Sequence, residues 1–411
     1  MVEPLKKSDI QVLPEPGDEA KRRSGLLMQS VSRACDRACE QSGSQAGWIR
    51  FSEFMNIALY EPGLGYYSGG LQKFGEKGDF ITAPEVSPLF GQCLANQIAE
   101  VLQNLAASSA EDCFVIEFGA GSGILAVDIL LALESLDALP EKYLILELSA
   151  ELQHRQQETI KKRAPHLYNR VQWLEQLPDV SNAVVIANEV LDAMPVECFR
   201  VDGDNAIESL MVTVEEGNKL VAKYVADENT GERIKSIQQR SEIEFDQGYR
   251  SEINLALHGW LSALESKTNK AVILLVDYGY NEKEYYHPDR TEGTLMCYCQ
   301  HKAHDDYFWW PGLQDITAFV NFTDVAYSAV DLGLEVSGYT TQAAFLLANG
   351  LSELHASQVT DDVQQQIKLS QQIKTLTLPS EMGERFKVIA LTKNYEEPLK
   401  GFSMLDLRNR L

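Results

Sequence analysis

Short, continuously apolar runs separated by helical stretches constrain this chain more than any other feature of its sequence. CFVIEFG (113–119), YLILELS (143–149), RVQWL (170–174), AVVIANEV (183–190) and AVILLVDYG (271–279) read as buried strands. GSGILAVDILLALESL (121–136) and AELQHRQQETIKKRA (150–164) read as the helices between the first three. A strand that is apolar on both faces has to be covered on both faces, and strands alternating with helices join in parallel. The fold class expected is α/β: a doubly wound, mostly parallel sheet.

Other segments sit around that sheet. Residues 1–25 are polar and Pro-rich and read as a flexible tail, and 26–110 as a helical and loop segment, with Ser52 as a helix N-cap and Ser87-Pro88 opening a helix to about Leu105. Between the fourth and fifth runs, residues 200–267 form an insertion: an antiparallel ribbon followed by helical stretches. The core is expected over 111–199 and 268–394, with LEVSGYTTQ and RFKVIALTKN as terminal strands and 395–411 as a C-terminal tail.

Charge narrows the partners. With 36 Lys and Arg against 60 Asp and Glu the net charge is −24, which argues against nucleic acid or an anionic membrane as a partner, since phosphate neutralisation needs clustered cations. No apolar run approaches the roughly 20 residues that span a bilayer. Seven scattered cysteines fit a reducing compartment better than a disulfide framework, and the first 25 residues lack the apolar core of an export signal, so a cytoplasmic location is expected. Cys297, Cys299, His301 and His304 have zinc-binding chemistry, but four ligands within eight residues match no common structural zinc spacing; buried thiols are the expectation, and no metal. The aromatic run Tyr307, Phe308, Trp309, Trp310 and Pro311 reads either as a recognition surface or as a loop folded onto the core by its own rings.

The sharpest local signal is Glu117-Phe118-Gly119-Ala120-Gly121-Ser122-Gly123, lying between a strand and a helix. Glycines permit a sharp turn and close approach of a ligand to the backbone, and the helix start presents unpaired N–H groups. A dinucleotide fingerprint needs a third glycine where Ile124 stands, which disfavours a nicotinamide-dependent oxidoreductase, whereas E-x-G-x-G-x-G resembles motif I of class I S-adenosylmethionine methyltransferases. Glu147, ending the next strand, is placed to accept hydrogen bonds from ribose hydroxyls. After the fourth strand, Asn188 offers amide contacts, and Glu189, Asp192 and Glu197 offer carboxylates that can hold a guanidinium and receive its proton.

Seven strings in one order, FSEFMNIALYEPGLGYY, GDFITAPEVSPLFGQCLA, EFGAGSG, ANEVLDAMPV, VDYG, YTTQAAFL and EMGERFKV, resemble the MidA family over about Trp48 to Asn394. Those proteins are relatives of the mitochondrial complex I assembly factor that dimethylates arginine on a complex I subunit. The resemblance implies a seven-stranded class I methyltransferase sheet, S-adenosyl-L-methionine as cofactor and a protein substrate with an exposed arginine. It also implies that Gly119, Gly121 and Glu147 hold the cofactor, with Asp79, Phe80 and Thr82 bordering it and Asn188 and Glu189 in the post-strand motif; Ala120 and Ser122 of the same turn, and Asn188, are expected to bind the cofactor with them. A family pattern D-L-T-A-H-V-D-F reads Asp315-Ile316-Thr317-Ala318-Phe319-Val320-Asn321-Phe322 here, so roles of its His and second Asp do not transfer. Arg290, Gly293, Leu295, Tyr298 and His301 fit the family and suggest a substrate lid. Two functions follow: methyl transfer to a protein side chain, most simply an arginine nitrogen, with Glu189, Asp192 and Glu197 as catalytic carboxylates, or a cofactor-binding assembly factor with little catalysis.

Overall fold

A computed structural model describes residues 13–43, 47–69, 82–108 and 110–411. They divide into two compact units. One contains Phe74–Leu191, Leu257–Gly279 and Phe322–Leu411; the other contains Met1–Lys73, Asp192–Ala256 and Tyr280–Asn321.

The first unit carries the predicted sheet. Its strands are β1 (Cys113–Phe118), β2 (Lys142–Leu146), β3 (Val171–Leu174), β4 (Val180–Asn188), β5 (Thr268–Tyr280), β6 (Glu335–Thr341) and β7 (Phe386–Lys393). They lie in the order β3-β2-β1-β4-β5-β7-β6, and the first five run parallel. β7 is antiparallel to both neighbours, β5 and β6. Three helices matter for the site: α1 (Pro88–Ser108), α2 (Ile124–Ser135) and α3 (Ala150–Arg163). Val115, Ile145, Val184, Ile186, Val272 and Leu274 pack with Phe90, Leu94 and Ile98 of α1 and Ile129 and Leu130 of α2. Ile116, Val185, Ile273 and Leu275, alternate residues on the same strands, are equally buried. Both faces are therefore covered, which is why these strands read as unbroken apolar runs.

The register brings the strand ends level. Phe118 pairs with Leu146 on one side and Ala187 on the other, and Asn188 pairs with Val276. The carboxyl ends of β1, β2, β4 and β5 thus form one edge, and the order reverses between β1 and β4, the place where open α/β sheets bind ligands.

The second unit is built on a smaller antiparallel sheet of the strands Ile49–Arg50, Glu197–Val201, Ile207–Glu215, Lys219–Ala226 and Arg250–Ile253. Phe199, Ile207, Ile234, Ile237, Phe245, Tyr249 and Tyr286 form its core. The expected ribbon is present, and its Glu-Gly-Asn turn has Gly217 and Asn218 at positive φ, as a tight hairpin requires.

Two expectations about the ends need correction. The flexible tail proposed for residues 1–25 is helical from Asp18, in a helix running to Ser42. Its first turns are polar, and the buried set Leu27, Met28, Val31, Ala34 and Cys35 begins only later, so the helix reads as a tail until its apolar face starts. At the other end, Tyr395, Leu399 and Phe402 are buried, with the Phe402 ring 5.6 Å from Phe345. A Cβ at Gly338 would stand 2.2 Å from the Phe402 ring, so this glycine makes the docking possible.

Candidate cofactor and methyl-transfer site

The glycine turn follows β1 directly. Gly119, Gly121 and Gly123 have φ of 62°, 52° and 80°, left-handed values that side chains with a Cβ adopt only with strain. The Gly119 N–H donates to the Leu146 carbonyl (3.1 Å) and the Gly123 N–H to the Ala120 carbonyl (2.8 Å), which closes the turn against β2. A Cβ at Gly119 would approach Val190 Cγ2 to 3.3 Å, and one at Gly123 would approach the α3 backbone at Gln156 to 3.0 Å. α2 then starts at Ile124 with no side-chain cap and no acidic residue in its first turn, leaving its first amides for a ligand or water. Ser122 Oγ donates to Glu85 Oε1 (2.5 Å), tying the turn to the short helix Ala83–Val86 that Thr82 precedes. Asp79 and Phe80 lie outside the described residues.

Glu147 is buried at the end of β2. Its Oε1 accepts the Ser149 N–H (2.9 Å) and its Oε2 the Gln156 Nε2 (3.0 Å). A carboxylate has about four acceptor positions, more than the two that these donors use. The next residue, Leu148, is 76% exposed, an apolar side chain beside Glu147 that the sequence reading passed over.

Glu117, which opens the motif, is buried beneath the turn and accepts the Tyr143 hydroxyl at 2.7 Å. Burial pushes its carboxyl up to about 7; the Tyr143 hydrogen bond opposes this and the charge of Glu147 adds to it. Because the folded-state value lies above the unfolded one, the stability this group contributes is fully present below about pH 4.5 and lost as pH rises through 7. Glu117→Gln keeps an acceptor for Tyr143 without the charge. Its stability relative to wild type, from urea midpoints, should therefore increase between pH 5 and pH 8, and a difference independent of pH would contradict the assignment.

Beyond β4 the chain makes a strained turn. Glu189 has φ of 53°, unusual for a residue with a long side chain. It is held by its own N–H donating to the Val276 carbonyl (2.9 Å), by Asn188 Nδ2 donating to Glu189 Oε1 (3.2 Å), and by the Leu191 N–H donating to Asp277 Oδ2 (3.0 Å). Asp277, in VDYG, is buried, and its other oxygen accepts the Tyr278 N–H (2.9 Å). Asn188 Oδ1 is buried without a hydrogen-bond partner among the described residues, an acceptor suited to a ligand donor.

The acidic stretch Glu189–Glu197 spans the division between the two units. Asp192 and Glu197 belong to the second unit, and both are buried. The Asp192 carbonyl accepts the Ala318 N–H at 3.0 Å. Glu197 Oε1 accepts Ser52 Oγ (2.5 Å) and lies 3.6 Å from Arg50, so it closes the start of the helix Phe51–Tyr60. The placement of Glu197 in a substrate-facing acidic loop is thus corrected: the chain after Pro195 enters the second sheet, and Ser52, expected to cap its own helix, donates to Glu197 instead. In the same unit the run 307–311 is folded inward. The Tyr307 ring meets Phe51 at 5.0 Å and Phe308 meets Phe54 at 5.2 Å. Cys297 and Cys299 are buried, Cys297 stands opposite His304 in a hairpin, and no group of three His, Cys, Asp or Glu suited to a metal occurs among the described residues.

Comparison with known proteins agrees with this geometry. The model of a family described as S-adenosyl-L-methionine-dependent methyltransferases (Methyltransf_28) matches residues 93–340, more than half the chain. The chain belongs to this family. A crystal structure of a COG1565 superfamily member from Burkholderia thailandensis bound to S-adenosyl-homocysteine is 37% identical, with a TM-score of 0.88, over 97% of this chain and all of that one. Protein arginine methyltransferase NDUFAF7 of Danio rerio is 26% identical over 88% of this chain and 90% of its own length, and the Homo sapiens protein 27% over 84% and 80%. The protein is a class I S-adenosyl-L-methionine-dependent methyltransferase, and the alternative of an assembly factor with little catalysis is not favoured.

The cytoplasmic location expected from the sequence does not stand, because these curated relatives are named mitochondrial. Organelle-directing segments are amphipathic and need no apolar core, so the lack of one in residues 1–25 does not bear on them. No helix among the described residues is long and apolar enough to cross a membrane.

Proposed function

We propose that this methyltransferase acts on a protein substrate and modifies a guanidinium nitrogen of an exposed arginine, with Glu189 as the catalytic carboxylate. The observation that carries this reading is the strained Glu189 backbone at the end of β4, fixed by Val276 and Asp277 beside the glycine turn. Curated relatives named protein arginine methyltransferases support the choice of acceptor.

S-adenosyl-L-methionine supplies a methyl group already activated on a sulfonium. The chain therefore has to bind, align and take up one proton. Backbone groups of Gly119, Ala120, Gly121 and Ser122 would line the cofactor, with Glu147 accepting ribose hydroxyls, Leu148 covering an apolar face, and Asp79, Phe80 and Thr82 bordering it. Asn188 Oδ1 would accept a hydrogen bond at the reacting end. A free guanidinium is protonated at neutral pH, so one ionised carboxylate must orient it and accept its proton as the nitrogen gains the methyl carbon. Glu189 fills that role. Asp192 and Glu197, tied into the second unit, are left without a part in the step.

Incubation of the protein and methyl-labelled cofactor with matched peptides bearing arginine or lysine tests the acceptor. Label on arginine alone is expected; label on lysine alone would replace the reading with a lysine methyltransferase.

A further inference from the structure

We propose that Gln156 is a positioning residue that orients the Glu147 carboxylate toward the cofactor ribose. The inference rests on the reading of Glu147 given under Proposed function.

Gln156 lies in the middle of α3 and is fully buried. The indole Nε1–H of Trp173 on β3 donates to its Oε1 at 2.9 Å. An indole nitrogen can only donate, so this contact fixes the amide with its oxygen toward Trp173 and its NH2 the other way. The two hydrogens of Nε2 then reach two parts of the cofactor site, the Glu147 Oε2 at 3.0 Å and the Gly121 carbonyl at 3.2 Å. With Oε1 held by Ser149, each oxygen of Glu147 has a fixed donor and the carboxylate plane has one orientation. The α3 backbone at Gln156 is seated where a Cβ on Gly123 would intrude, so the same residue sets the spacing between turn and carboxylate.

The side-chain type suits the task. Glutamine donates to Glu147 without cancelling its charge. A lysine there would neutralise it, and an ionised carboxylate would repel it. Trp173, Gln156 and Glu147 form a relay whose purpose is orientation.

Calorimetry on the full chain with two ligands, S-adenosylhomocysteine and its 2′-deoxyribose analogue, separates this role from packing. Wild type is expected to favour the ribose ligand by about tenfold or more, the range of a hydrogen bond to a charged group. Gln156→Leu should lose most of that preference, and Trp173→Phe, which removes only the orienting donor, should lose part of it. Equal weakening of both ligands with the preference retained would overturn the proposal. A wild type without preference, or an unchanged preference in Glu147→Gln, would instead overturn the reading of Glu147 itself and the proposal with it. A second readout is pH. Gln156→Glu can donate to Glu147 only while protonated, so its affinity for S-adenosylhomocysteine should match wild type near pH 5.5 and fall at least about tenfold by pH 8. Wild type, in which Glu117 beneath the turn also titrates in that range, sets the baseline; the variant's loss should exceed it at least about tenfold, and a variant that follows wild type would contradict the contact's role.

Discussion

Glu189→Gln is expected to slow methyl transfer by about 10²- to 10⁴-fold, the usual contribution of a positioned general base, while S-adenosylhomocysteine affinity stays within about threefold. The substitution preserves shape and keeps an acceptor oxygen for Asn188 Nδ2, so the turn held by Val276 and Asp277 has no reason to move. What it removes is the negative charge that holds a guanidinium and the site that takes its proton. Single-turnover rates with saturating cofactor report the first effect and calorimetry the second. An undiminished rate would take Glu189 out of the mechanism. An equal loss of affinity would make it part of the cofactor site.

Gly119→Val should reduce S-adenosylhomocysteine affinity by at least about a hundredfold. The residue needs φ of 62°, which costs a Cβ-bearing residue about 1–2 kcal/mol and a β-branched one more, and the new Cβ would sit 3.3 Å from Val190 Cγ2. The turn must then either shift from its contact with Leu146 or push the segment carrying Glu189 away. Gly217→Val is the control. It imposes comparable backbone strain at φ of 79° in an open hairpin turn with nothing within 4 Å of the new Cβ. Both variants should lose stability by similar amounts, and only Gly119→Val should lose the cofactor. Parallel loss of affinity in both would mean that the effect is general destabilisation.

The sheet was legible because burial on both faces leaves a strand no polar positions, and the apolar runs at 113–119 and 183–190 report that directly. Their order in space was not, since β1 and β4 are neighbours through a register that periodicity does not encode. Glu189 and Glu147 stood out as candidates because each directly follows a strand at the edge where open α/β sheets bind ligands. Glu197 was grouped with Glu189 on closeness in sequence alone, whereas three residues after Met194 the chain enters a different sheet. Asp277 appeared only as part of a family string, although the pairing of Asn188 with Val276 sets it beside the post-β4 turn. Gln156 left no signal: in a helix as polar as LQHRQQETIKKR, a glutamine reads as a surface residue until the fold shows it buried against the glycine turn.

Methylation of a protein arginine with Glu189 as the base predicts where an isotopic label will be found. Incubation of substrate proteins with trideuteromethyl-labelled cofactor, followed by mass spectrometry, tests it most directly. Trideuteromethyl groups on arginine with wild type and none with Glu189→Gln are the predicted result. Intact S-adenosylhomocysteine binding with no labelled arginine on any protein, or the same arginine labelled equally by both, would contradict it.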